Sequence, residues 1–200
     1  MMSRRRKDIQ NFAFRDVLAN GLLAWVLLAL LFMAMIKVAA QEEIEAQLAI
    51  NDTLVFQIEW PEGEPHDIDL WVRGPDGVPV GFSNRAGAQV NLLRDDLGSA
   101  GDLTQENWEE SRSRGLAPGK WAATVYMWNP GSGTMPVTVE ASISVVRGKS
   151  VSVIWEGTVD LVRDGDERTL AQFELDAEGH LVPNSLNHLN VKLWGSNNGP

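Results

Sequence analysis

Four aspartates have the types and spacing for metal chemistry. Asp67 and Asp69 alternate in HDIDLWVRG, so a strand there puts both on one face, opposite Ile68, Leu70 and Val72. Asp95 and Asp96 open a polar loop that runs to Pro118. If that loop folds back on the strand, the four carboxylates converge as hard oxygen donors of the kind that suits Ca²⁺. The alternative is a solvated acidic face, with Asp95 and Asp96 closing turns and Asp69 paired to Arg85 or Arg94. No Asp-x-Asp-x-Asp-Gly run is present, so the spacing alone is not a calcium signature. The face that carries Asp69 also carries Trp71. Together with Trp108, Tyr126 and Trp128, Trp71 is expected to be an exposed aromatic that stacks on a sugar or docks a partner. The competing arrangement is a second small cluster in which Trp108 plugs the polar loop.

Other chemistries are excluded by what the chain lacks. It has no cysteine, which removes disulfides, Cys-ligated zinc, iron–sulfur clusters and thiol catalysis. Its three histidines, His66, His180 and His188, are scattered and fall on expected loops. They make neither a metal set nor a persuasive partner for Ser83 or Ser111, so the chain is not expected to be an enzyme. The net charge is −10. Residues 1–40 carry six Lys and Arg against two acids, whereas residues 41–200 carry eleven against twenty-five. So acidic a body is no surface for nucleic acid, which needs clustered bases.

The basic head leads into VLANGLLAWVLLALLFMAMI, Val17 to Ile36, with Asn20 its one strongly polar member. Twenty residues at about 1.5 Å rise match a hydrocarbon layer of roughly 30 Å. Bases before the run and acids after it (Glu42, Glu43, Glu45) place the N-terminus in the cytoplasm and the body in the periplasm of a bacterial inner membrane. A signal peptide cleaved before Gln41 is the alternative. Asp16 stands at the cytoplasmic edge of this run. Asn20 follows one turn later on the same helical face. The pair is either an interfacial carboxylate with a polar neighbour, or a proton- or ion-carrying site held against another protein.

Asp-Val-Leu opening a long apolar run after a short basic tail resembles the transmembrane helix of the ExbD, TolR and MotB group of ion-motor subunits. The resemblance covers residues 12–36 and implies that Asp16 carries the ion. It further implies a self-dimer inside a ring of multi-span ExbB-, TolQ- or MotA-like subunits.

Beyond Asp52 the hydrophobic period becomes two. Leu54, Phe56, Ile58 and Trp60 alternate with polar neighbours, and so do Val137, Val139, Ala141, Ile143 and Val145. Turn signals recur at Gly74-Pro75-Asp76-Gly77, Asn129-Pro130-Gly131, Gly148-Lys149 and Asp164-Gly165-Asp166. Seven to nine strands without an amphipathic helix make an all-β domain, an antiparallel β-sandwich or jelly-roll-like fold tethered by one N-terminal transmembrane α-helix. The expected organisation is a cytoplasmic tail (1–16), a transmembrane helix (17–38), a helical stalk (39–51), the sandwich (52–180), and a C-terminal strand with a flexible tail (181–200). The order DIDLWVRGPDG, VGFSNR, LLRDD, LAPGKWAATVYMWN, MPVTVEASI, over about residues 66–143, resembles the YfaP-like bacterial β-domains. That resemblance implies a sandwich and no particular reaction. Two functions follow: a subunit of an ion-driven motor complex, or a tethered periplasmic module without energy coupling that binds an envelope polymer, a protein or Ca²⁺.

Overall fold

The computed structural model describes residues 15–33, 35, 52–98 and 106–195. The expected tail, the stalk and the last residues of the chain fall largely or wholly outside them. The chain divides into two compact units, Met1–Gln47 and Leu48–Pro200.

In the first unit, helix α1 runs over Arg15–Met33 with a mean hydropathy of 2.0. Leucines and alanines favour the helix, and its length of about 28 Å approaches the apolar thickness of a bilayer. A single apolar helix ahead of an all-β domain fits a membrane-anchored or exported protein, and a helix in this position serves either as anchor or as signal sequence.

The second unit is two antiparallel sheets. The described residues form nine strands, β1 (Thr53–Glu59), β2 (Asp67–Arg73), β3 (Pro79–Val80), β4 (Val90–Arg94), β5 (Trp108–Ser113), β6 (Gly119–Asn129), β7 (Val137–Arg147), β8 (Ser150–Leu161) and β9 (Glu167–Leu175). One sheet has the order β4-β5-β1-β7-β8 and the other β3-β2-β6-β9. The alternating apolar residues meet between the sheets: Leu54, Phe56 and Ile58 from β1, Val139 and Ile143 from β7, Leu70 and Val72 from β2, Trp121 and Val125 from β6. Each has almost no exposed surface, which is the favourable burial that holds the layers together.

Two departures from the sequence reading shape the site. Residues 108–113 of the expected polar loop form β5, a strand inside the first sheet, paired with β1 and β4. Residues 181–193 add no strand to either sheet. They run along the outside of β9 as a strap, held by isolated bridges at Gln172↔Asn187 and Leu175↔Leu181. Further on, Val191 N–H donates to Thr169 Oγ1, and Leu193 N–H and Trp194 N–H both donate to Glu167 Oε1.

The strap changes the fate of the face that carries Asp69 and Trp71. Leu193 is fully buried and packs with Trp71 and Ala122, flanked by Phe82, Tyr126 and Val191. Strand β2 is therefore covered on both faces. Gly81 permits this closure, because a Cβ there would collide with the indole ring of Trp71.

Candidate functional site

The site is an acidic corner where β2 meets β5. β3 is only two residues long and pairs with Val72 and Arg73, so the stretch of β2 before them has no β3 neighbour along that edge. The Leu70 N–H that points outward there is taken by a side chain from the other sheet: Glu109 Oε2 accepts it at 2.7 Å. Glu109 Oε1 accepts the Asp96 N–H at 3.1 Å. Glu109 has no exposed surface. It faces inward because β5 alternates Glu109, Ser111 and Ser113 to the interior and Glu110 and Arg112 outward.

Asp69, Asp95 and Glu109 each place a carboxylate oxygen within 4.8 Å of the other two. Asp69 is 2% exposed, and its Oδ2 has no hydrogen-bond partner. Asp95 Oδ1 is likewise buried without a partner, while its Oδ2 meets Arg85 at 3.3 Å. The loop that brings Asp95 here turns at Gly98, whose backbone has φ +57°; a Cβ there would lie 2.6 Å from the His66 carbonyl oxygen. Close approach of two backbones thus seats the carboxylates.

The electrostatics follow from this crowding. Burial, then the charges of Asp67 and Asp95, raises the Asp69 pKa from 3.8 to about 8. Asp67, half-buried at the rim, rises to about 6 through burial and then the charges of Asp95 and Asp96. Burial and the neighbouring Asp69 also push Glu109 well upward, although the amides of Leu70 and Asp96 pull against them. Three carboxyls sharing one dry corner cannot all hold charge without a counter-charge.

Of the four aspartates singled out in the sequence, Asp69 and Asp95 come together and Asp67 stands beside them. Asp96 turns its side chain another way: Oδ1 accepts the Gly98 N–H and Oδ2 lies 3.5 Å from Arg94. The expected partner of Asp69 is also corrected, since Arg85 pairs with Asp95 and Arg94 with Asp96. Glu109 was missed. It sits in WEESRS, which lacks the apolar alternation that marks a strand. The one signal there was period-two placement of Glu109, Ser111 and Ser113 against charged neighbours.

The aromatic expectation divides. Trp71 is 1% exposed and belongs to the interior, a correction that follows from the strap over its face. Tyr126 is half-buried and stacks on Trp194 at 4.8 Å with the rings nearly parallel. Trp128 is 44% exposed and tilts against Phe82 and Tyr126. Trp108 is half-buried and lies under the guanidinium of Arg94, 4.2 Å from the ring centre. The second cluster exists, but under the strap rather than under the loop. His66 is wholly buried, its Nε2 3.2 Å from the Thr134 carbonyl oxygen, where it props the 130–134 turn. Asp16 and Asn20 lie one turn apart on α1.

No family model and no curated protein matches the chain. Among solved structures, a DUF4425 domain of unknown function from Bacteroides vulgatus aligns with 63% of this chain and 94% of its own length, at 10% identity and a TM-score of 0.29. That likeness is too slight to bear on function.

Proposed function

We propose that the chain is a membrane-tethered binding module: α1 holds the β domain at the periplasmic face of a bacterial inner membrane, and the domain, not the helix, carries recognition. One observation supports this reading above all. The β domain closes a core of its own and still keeps a buried acidic corner beside β2 and the open rings of Trp128 and Trp194. Glu109 serves the amides of Leu70 and Asp96, but that structural duty does not account for Asp69 and Asp95 crowded beside it with buried oxygens that have no partner.

The spacing of Asp16 and Asn20 favours a second reading, the ExbD- or MotB-like subunit that passes ions beside a multi-span partner. One experiment separates the two. A deletion strain is complemented with the full chain, with Asp16→Asn, and with residues 15–35 replaced by an unrelated apolar span. The module reading expects all three to restore the strain. Loss of complementation at normal abundance in Asp16→Asn refutes it in favour of the motor subunit. Protease added to spheroplasts checks orientation: the β domain is digested while a tag before Met1 survives.

A further inference from the structure

The acidic corner poses a problem that the polypeptide leaves unsolved. A buried carboxylate oxygen needs donors, and most such groups in folded proteins find backbone N–H partners. Glu109 does so. Asp69 Oδ2 and Asp95 Oδ1 do not, although both are shut away from solvent. The same two residues and Glu109 each place a carboxylate oxygen within 4.8 Å of the other two. Arg85 compensates one of the three charges from an exposed position. Once ionised, Asp69 and Glu109 would face no cation of the described residues, and Asp67 at the rim would add a further charge.

We propose that this corner is a calcium site, with Asp69, Asp95 and Glu109 as direct oxygen ligands and Asp67 completing the shell on the solvent side. Oxygens up to 4.8 Å apart fit around one ion at the Ca–O distance of about 2.3–2.6 Å, since opposite ligands then lie about twice that far apart. Mg²⁺, at about 2.0–2.1 Å and strictly octahedral, requires a tighter cage. The three ligands offer neither nitrogen nor sulfur, which disfavours zinc and copper. Glu109 keeps lone pairs for the ion after accepting two amides, because a carboxylate offers about four acceptor positions. The bound ion would join β2, β5 and the 95–98 loop at the one edge where β3 is too short to close the sandwich.

The site concerns the β domain alone and stands independently of the tether reading, which supplies only the compartment in which calcium is abundant. The full chain is purified in detergent, stripped with EDTA and titrated by calorimetry with CaCl₂, then with MgCl₂. The expected result is one Ca²⁺ per chain with a dissociation constant of about 10⁻⁴–10⁻³ M, as in extracellular modules. Mg²⁺ is expected to bind at least about tenfold more weakly, as its shorter bonds demand. Asp69→Asn and Asp95→Asn are each expected to weaken Ca²⁺ at least about tenfold, in chains whose circular dichroism stays that of the wild type. If one variant fails to fold, the other and the wild-type stoichiometry still decide. No Ca²⁺ uptake by the wild type, undiminished uptake by a folded variant, or equal affinity for Mg²⁺ overturns the proposal. None of these outcomes bears on where the helix anchors the chain.

Discussion

Without calcium, the β domain is expected to lose stability as pH rises from about 5 to 8, the opposite of what paired surface carboxylates give. The cause is Asp69. Its pKa is 3.8 in an unfolded chain and about 8 in the folded one. Below 3.8 the carboxyl is protonated in both states, and the folded state keeps its full advantage from this group. Between these values the unfolded chain gives up the proton while the folded chain retains it, so stability falls with each step in pH and the loss is complete above about 8. At about 1.4 kcal/mol per pH unit the whole range from 3.8 to about 8 is worth on the order of 6 kcal/mol, a large share of a typical domain's stability of about 5–15 kcal/mol. Asp67 adds to the slope in the lower half of the range, since its pKa stands at about 6. Calcium competes with these protons. One site at 100 times its dissociation constant contributes about 2.7 kcal/mol, and this gain grows with pH as the carboxyls ionise. The assay is urea denaturation followed by tryptophan fluorescence at pH 5, 6, 7 and 8, in EDTA and in CaCl₂. The EDTA midpoint should fall steadily, the calcium midpoint should fall less, by a margin that widens with pH, and Asp69→Asn in EDTA should flatten the curve and exceed the wild type at pH 8. A wild-type EDTA midpoint that is flat or rises with pH, or an unchanged slope in Asp69→Asn, refutes the reasoning.

Other consequences are simpler to test. Gly81→Ala drives a methyl into the Trp71 ring and should cost about 1–3 kcal/mol, read as a lower thermal midpoint. Ending the chain after residue 185 removes Leu193 and Val191 from the second cluster. It should lower stability by about 2–5 kcal/mol and raise the binding of an apolar dye, with far-ultraviolet circular dichroism little changed. Glu167→Ala removes an oxygen that accepts from Thr124 Oγ1, Leu193 N–H and Trp194 N–H. It should cost about 1.5–3 kcal/mol and expose the strap to limited proteolysis; an unchanged cleavage pattern would show that the strap is held by its apolar contacts alone.

The two-layer fold was legible because most strands obey the rule that reveals strands: Leu54, Phe56 and Ile58, or Val137 through Val145, alternate inside and out. β5 escaped because its inward residues are Glu109, Ser111 and Ser113, polar groups buried at an edge where one of them serves β2 as a surrogate neighbour. The same residue completes the candidate site, so a single missed strand hid both. Asp69 and Asp95 could be paired from their types, but what brings them together is the turn at Gly98 against the His66 backbone, a contact between segments more than thirty residues apart. Trp71 was misplaced for a related reason. Alternation in β2 suggested an open face, and the cover comes from Val191 and Leu193, far along the chain and in no strand.

The strap also sets the order in which the molecule can become insoluble or safe. Residues 186–193 follow every strand of the described residues, so the sheet pairings do not depend on the Val191 and Leu193 that cover Trp71. A nick or early stop beyond Leu175 would leave an assembled sandwich with a bare aromatic wall, a species recognised by its adhesiveness rather than by any loss of strand.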